Sequence, residues 1–245
     1  MIAKWANRFQ LKPGRWIYEP TLESVEIGRE IKAAVEAKWR PPGYYYHLRT
    51  GGHLAAVKAH FGNTTFWHGD IENFFGSINR SRLSRCLKPL VGYKTAREWA
   101  MQSTVPNPEK TAFVLPYGFT QSQLLASLCL RHSALGKCLH GLRKVCSISV
   151  YVDDIIASSK GDLAAESALI ANAAARSEFT LGPAKLQGPA AGITAFNIAI
   201  QAHSIALTDK RWTEFHRALS DPACSEERRQ ALIAYVNLVD PSRLT

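Results

Sequence analysis

Apolar residues along the chain recur at two periods, and each period predicts a kind of element. In residues 21–39, Ile27, Ile31 and Val35 recur at four-residue spacing, which predicts a helix stopped by Pro41-Pro42-Gly43. Residues 44–49 and 53–58 flank Thr50-Gly51-Gly52, and two short segments round a Gly-Gly turn predict a hairpin. Residues 63–71 are aromatic and β-branched, a strand pattern ending at Asp70, and residues 77–90 read as a basic helix. Pro106 and Pro108 break the chain before a short apolar strand over 111–115. From Gly118, the leucines at 124, 125, 128 and 130 predict one long helical stretch towards Leu142. The clearest strand covers 145–152, where Cys146, Ile148, Val150 and Val152 alternate with Ser147, Ser149 and Tyr151. Asp153-Asp154 follows, then Ile155-Ile156-Ala157: apolar strand, acidic turn, apolar strand. Residues 163–179 are alanine-rich and helical, 192–200 predict a strand, and 211–238 are mostly helix. This mixture predicts an α+β sheet with helices on one face.

Composition narrows the partner. The 245 residues suffice for one domain, or one divided into subdomains round a cleft, and 46% hydrophobic content excludes wholesale disorder. Thirty Lys and Arg against 20 Asp and Glu give a formal charge of +10, which favours polyanions and nucleic acid first among them. No apolar run is long enough to span a bilayer, and the first residues lack the apolar core of a signal peptide. The five cysteines are scattered without C-x-x-C spacing, so neither zinc nor a disulfide framework is predicted, and a cytoplasmic location is expected.

Aspartate is scarce, with seven in the chain, yet Asp70, Asp153 and Asp154 sit at the ends of apolar strands. A carboxylate pair at a hairpin turn beside a third on a neighbouring strand is unfavourable unless cations sit among them. Two Mg²⁺ ions roughly 4 Å apart would supply that charge and activate an attacking 3′-hydroxyl.

Three motifs carry a family resemblance. Tyr151-Val152-Asp153-Asp154 resembles the catalytic hairpin of reverse transcriptases. Residues 70–78, Asp-Ile-Glu-Asn-Phe-Phe-Gly-Ser-Ile, resemble their first acidic motif in its bacterial retron-type form. Residues 115–122, Leu-Pro-Tyr-Gly-Phe-Thr-Gln-Ser, resemble the Leu-Pro-x-Gly segment that lies between those two. Order and spacing are those of the family, and the resemblance runs from about residue 40 to 210.

The resemblance implies an RNA-directed DNA polymerase: a right-hand fold with fingers, a ferredoxin-like palm and a truncated helical thumb. The implied division is N-terminal helices and fingers over 1–62, palm over 63–200 with a fingers insertion near 86–112, and short thumb-like helices over 201–245. Asp70 and Asp153 would be the principal ligands of two Mg²⁺ ions (Mn²⁺ as substitute), with Asp154 the third carboxylate and the Ile71 carbonyl completing one sphere. Phe75 matches the aromatic that excludes a ribose 2′-hydroxyl, while Tyr117, Gly118 and Phe119 would line the nascent base pair. Lys185 falls where the family has a lysine that protonates departing pyrophosphate; a solvated surface lysine is the other reading. Arg49 and Lys58 would clamp the triphosphate. Tyr151, Phe196 in a primer-grip-like hairpin, and Arg80, Arg82 and Arg85 on one helix would contact nucleic acid.

Departures are specific. Tyr117 stands where many relatives have Gln, Gln123 where many have Pro, and the retron Asn-Ala-x-x-His signature is missing. The implied partners are an RNA template, including a dedicated non-coding RNA, a DNA product, dNTPs, and a second protein subunit or second copy. The implied setting is bacterial anti-phage defence. Two other readings stay open: a polymerase-shaped RNA-binding subunit supporting an active partner, and untemplated or protein-primed transfer with Tyr44, Tyr45 or Tyr46 as the priming hydroxyl.

Overall fold

The computed structural model describes residues 4–12, 14–108 and 112–244. Thr111, the first residue of the strand expected over 111–115, lies outside them. In chain order come β1 (Trp5–Lys12), β2 (Arg15–Pro20), α1 (Leu22–Lys38), α2 (Gly52–Lys58) and β3 (Thr65–Asp70). They are followed by α3 (Arg80–Val91), α4 (Tyr93–Gln102), β4 (Val105–Pro106), β5 (Phe113–Val114), α5 (Ser122–His132) and α6 (Ala134–Leu142). Next are β6 (Ser147–Tyr151), β7 (Asp154–Ser159), α7 (Ala164–Arg176) and β8 (Gln187–Ala190). The chain finishes with β9 (Gly192–Ala195), β10 (Ile198–Gln201), β11 (Ser204–Leu207), α8 (Asp209–Ser220) and α9 (Glu226–Val239).

An antiparallel sheet in the order β6-β7-β3-β8 positions the acidic residues. Its register sets Asp70 directly opposite Asp154, and Asp154 opposite Tyr151 on the other side. Val152 and Asp153 are left as a two-residue turn. Val152 adopts φ 62°, a left-handed conformation that a β-branched side chain resists, so the turn carrying Asp153 is strained.

Both faces of this sheet are covered, whereas helices on one face were expected. One face carries Ile148, Val150, Ile155 and Ala157 into the large core built with α1 and α3 to α7. The opposite face carries Phe66 and Ile156 into a second core with Val57, the β9–β11 sheet, and Phe215, Val236 and Val239 of α8 and α9. Burying a side chain such as Phe66 or Ile156 contributes roughly 2–3 kcal/mol, enough to hold the second layer onto the sheet. Ser149, which alternates with the apolar positions of β6, is therefore buried as well.

Four other expectations change. β1 and β2 pair antiparallel ahead of the first helix, in a stretch where no strand was expected. The hairpin expected round Gly51-Gly52 is instead a short 3-10 turn (Tyr46–Leu48) followed by α2, because both glycines take positive φ and Ala55 and Ala56 favour helix. The long helix after Gly118 is broken into α5 and α6 at Ser133, whose side chain caps α6 through Gly136 N–H at 3.1 Å. The strand expected over 192–200 folds back on itself at Phe196-Asn197, both at positive φ, and Asp221-Pro222 separates α8 from α9.

Candidate active site

The sheet register brings the three aspartates together. Ile71 N–H donates to the Asp153 carbonyl at 2.9 Å, tying the end of β3 to the turn, and Ile71 itself is fully buried. Burial pushes the Asp153 carboxyl above its ordinary range, and the charge of Asp154 adds to this, with a smaller contribution from Asp70. Lys185 Nζ lies 3.2 Å from Asp70 Oδ2 and 3.6 Å from Asp154 Oδ1. Burial pulls the Lys185 ammonium down, but the aspartates outweigh it and hold it above its usual value. Gly182 sets this distance: its N–H donates to the Asp70 carbonyl at 2.9 Å, and an added Cβ would stand 2.8 Å from Asp70 Oδ1.

Two residues without any motif complete the charge pattern. Arg15, at the start of β2, lies 3.9 Å from Asp153 Oδ2. Its guanidinium sits 4.6 Å from the centroid of the Tyr117 ring and donates to the Tyr117 hydroxyl at 3.3 Å. Buried His68 holds the inner side of Asp154, with Nε2 at 3.0 Å from Oδ1. A sequence pattern could not expose Arg15, since it arrives from a separate hairpin; His68 had a signal, being two residues before Asp70 on the same strand face.

The aromatic residues divide between core and site. Phe74 is 1% exposed, while Phe75 is 9% exposed and meets the Tyr117 ring edge-on at 4.6 Å. Tyr151 packs edge-to-face on Phe196 at 5.3 Å and lies beside His53, which also contacts Phe196 and bonds the Tyr235 hydroxyl at 2.9 Å. Behind the turn, Val152 N–H donates to His47 Nδ1 at 3.0 Å, closer than the Val150 carbonyl at 3.4 Å. The ring proton therefore sits on Nε2 and is donated to Ser127 Oγ at 2.7 Å. Burial lowers His47 to about 4, so it supports the turn as a neutral ring.

Several expected site residues are elsewhere or otherwise engaged. Arg49 bonds back to the Gly43 carbonyl and lines a groove with Ser147, Ser159 and Lys160, at the end of the β6–β7 hairpin away from the aspartates. Lys58 is exposed in the last turn of α2 and is not brought to the carboxylates. Arg80 bonds Thr104 Oγ1 at 2.9 Å and stacks over Phe113, while Arg82 bonds Ser177 O and Glu178 and covers Phe179. Both fasten α3 to its neighbours, which leaves exposed Arg85 as the free cation of that trio. Gly118 has φ 104°, and a Cβ there would meet the Tyr18 carbonyl at 2.1 Å, so its bareness serves the approach of β2. Phe119 is buried against Tyr18 and Val105 rather than facing the aspartates. Tyr44 and Tyr45 are 5% and 1% exposed, which withholds their hydroxyls from priming chemistry.

Among the described residues, no three His, Cys, Asp or Glu side chains close around a common point. Lys185 and Arg15 stand among the aspartates instead. The donors on offer are hard carboxylate oxygens, with Asp70 directly opposite Asp154, the chemistry that suits Mg²⁺ or Mn²⁺. The donor set therefore fits such ions once the two cationic side chains give way.

No protein-family model matches the chain, and no curated protein matches it. Solved structures do. The foamy viral protease-reverse transcriptase dRH, in complex with double-stranded DNA, superposes with a TM-score of 0.54 at 14% identity, covering 91% of this chain and 33% of that one. Telomerase from Candida albicans, in complex with a fragment of telomeric RNA, gives 0.54 at 10% identity, covering 89% and 47%. The chain spans less than half the length of either. Its mixed α/β fold matches the folds of these two structures.

Among the described residues, no helix is long and apolar enough to cross a membrane.

Proposed function

We propose that this chain is a nucleotidyltransferase that copies RNA into DNA from deoxynucleoside triphosphates. The observation that carries the reading is the juxtaposition of Asp70 with Asp154 across β3 and β7, and of Asp153 at the strained turn beside them, in a polymerase-type fold. In this reading β3, β6 and β7 belong to a palm, β1–β2 and the α3–α4 region to fingers, and α8–α9 to a short thumb. Asp70, Asp153, Asp154 and the Ile71 carbonyl would hold two Mg²⁺ ions, with Mn²⁺ as substitute. Bound Mg²⁺ supplies the charge that lets the carboxylates coexist and acidifies the attacking hydroxyl.

The chain's own residues do the rest. Lys185 is placed to protonate the leaving pyrophosphate, since its ammonium already lies within reach of Asp70 and Asp154. Arg15, seated on Tyr117, takes the triphosphate-clamping role expected of Arg49 and Lys58. Phe75, held edge-on by Tyr117, presents the ring that would collide with a ribose 2′-hydroxyl. Tyr151, Phe196, His53 and Tyr235 form an aromatic platform beside the carboxylates for the primer end. The form of the first acidic motif supports a place among the bacterial retron-type, defence-associated enzymes, with a structured RNA as template.

The test is incorporation of each labelled dNTP and NTP with Mg²⁺, with and without co-purified RNA, for wild type and Asp153→Ala. Deoxynucleotide incorporation that needs both RNA and Asp153 is the expected result. No incorporation under any condition would overturn the assignment.

A further inference from the structure

One sizeable cavity lies away from the aspartates. It is an open groove of about 760 Å³ at the other end of the β6–β7 hairpin. Four separate segments line it: Gly43 to Arg49 before α2, Ala59 and Asn63 between α2 and β3, Arg143 to Ile148 leading into β6, and Ser158 to Lys160 at the end of β7. Four cations, Arg49, Arg143, Lys144 and Lys160, are among the lining residues, and no Asp or Glu is. All four are exposed.

Two of these cations are held in a particular way. The Arg49 guanidinium lies 5.0 Å from the Tyr46 ring centroid and donates to the Gly43 carbonyl at 2.5 Å. The Arg143 guanidinium lies 5.1 Å from the centroid of the buried Tyr44 ring. An arginine seated on an aromatic ring has lost part of its rotamer freedom before any ligand arrives, and offers its outer plane as a stacking surface. Lys144 and Lys160 add mobile point charges with no planar preference. Flat cationic platforms together with flexible ammonium groups match a strand whose phosphates and unpaired bases are both accessible. A duplex offers phosphates alone, because its bases are already stacked.

We propose that this groove is a second, non-catalytic binding site for single-stranded nucleic acid. It would anchor a strand on the side of the hairpin remote from the aspartates. The proposal stands on the groove alone, whatever chemistry the aspartates perform.

The experiment uses the full chain, without Mg²⁺ or nucleotides, and a fluorescein-labelled 12-nucleotide RNA of unpairable sequence, followed by anisotropy across a salt series. Arg143→Ala combined with Lys144→Ala is expected to weaken binding about tenfold and to flatten the log K against log salt slope by about 1.4, two charges at about 0.7 each. Tyr46→Leu, which removes the seat of Arg49 while keeping an apolar side chain, is expected to lose about threefold on the single strand only. A matched DNA oligonucleotide separates the two sugars: equal affinity assigns single strands generally, and tighter RNA binding assigns RNA. Unchanged affinity and slope in the double variant would overturn the proposal. So would an equal loss on a duplex of the same length, which would reduce the groove to a basic face without strand recognition. Because binding is read without synthesis, an inactive polymerase and an empty groove give different results.

Discussion

The two ends of one β-hairpin, β6–β7, are built on opposite principles. At the tip, Val152 is strained, Asp153 carries a carboxyl raised by burial and by Asp154, and Asp70 faces them across the next strand. Along the body, the buried serines and the side chains beside them pair with neutral partners. Buried His60 bridges Ser158 at 2.6 Å and Ser149 at 2.8 Å, while Asn63 reaches Ser158 at 2.7 Å and Ser147 at 3.1 Å. A satisfied buried network rigidifies, because any displacement leaves a polar group unpaired. An unbalanced cluster of charge does the reverse and invites a ligand. The same two strands thus hold a fixed body against which a reactive tip can be positioned.

Breaking the tip should have the largest effect on activity and none on folding. Asp153→Asn is expected to lower nucleotide incorporation at least about 10³-fold, equivalent to about 4 kcal/mol. The raised Asp153 carboxyl means that the folded state disfavours its charged form, so stability is reduced once pH exceeds the carboxylate range. The variant should therefore melt at or above the wild-type temperature at pH 7, and a lower melting temperature would contradict the contrast drawn here. Breaking the body should do the opposite. His60→Ala leaves Ser149 and Ser158 without their ring partner and opens a cavity, costing about 3 kcal/mol in denaturant unfolding. Its incorporation per folded molecule should stay near wild type.

Acid sharpens the same distinction. Burial lowers His60 to about 3 and His47 to about 4, from an ordinary 6.5. Below pH 6.5 the unfolded chain takes up protons that the folded chain refuses, so stability is lost as pH falls towards 4. Each histidine contributes a slope approaching about 1.4 kcal/mol per pH unit, and His60→Ala should remove one of the two slopes in pH-dependent melting. Smaller effects belong to the rim of the tip. Phe75→Ala should relax discrimination between dNTP and NTP by about tenfold or more, since a clash removed is worth about 1–3 kcal/mol. Arg15→Gln should raise the KM for dNTP by several-fold, on the order of 1 kcal/mol for a partly exposed charged contact, with little change in kcat.

Legibility in the sequence followed locality. The β6–β7 hairpin was readable because alternation from Cys146 to Val152 and the acidic turn are contiguous, and Asp70 was readable because it ends an apolar strand. What lay outside local pattern was missed. Arg15 reaches Asp153 only through the packing of β2 on residues 117 and 118. His60 meets Ser149 only because the second core covers the other face of the sheet, where helices on one face alone were expected. Arg49 looked like a phosphate clamp from its place beside two glycines, but those glycines open a helix and its own guanidinium folds back to Gly43. Arg82 shows the limit of reading charge clusters: a basic helical face can be spent on internal carbonyls.

The seat of β2 carries a consequence for biosynthesis. Tyr18 N–H bonds the Tyr117 carbonyl at 3.0 Å, and the Tyr18 carbonyl fills the space that bare Gly118 leaves open. A two-stranded ribbon alone is marginal in water. On the ribosome, the β1–β2 ribbon emerges ahead of its landing surface, which is translated about one hundred residues later. At roughly 5–20 residues per second it waits on the order of 5–20 seconds with its edges unpaired. Arg15 thus reaches the aspartates late, so the nascent chain gains its reactive corner only after most of its frame has been made.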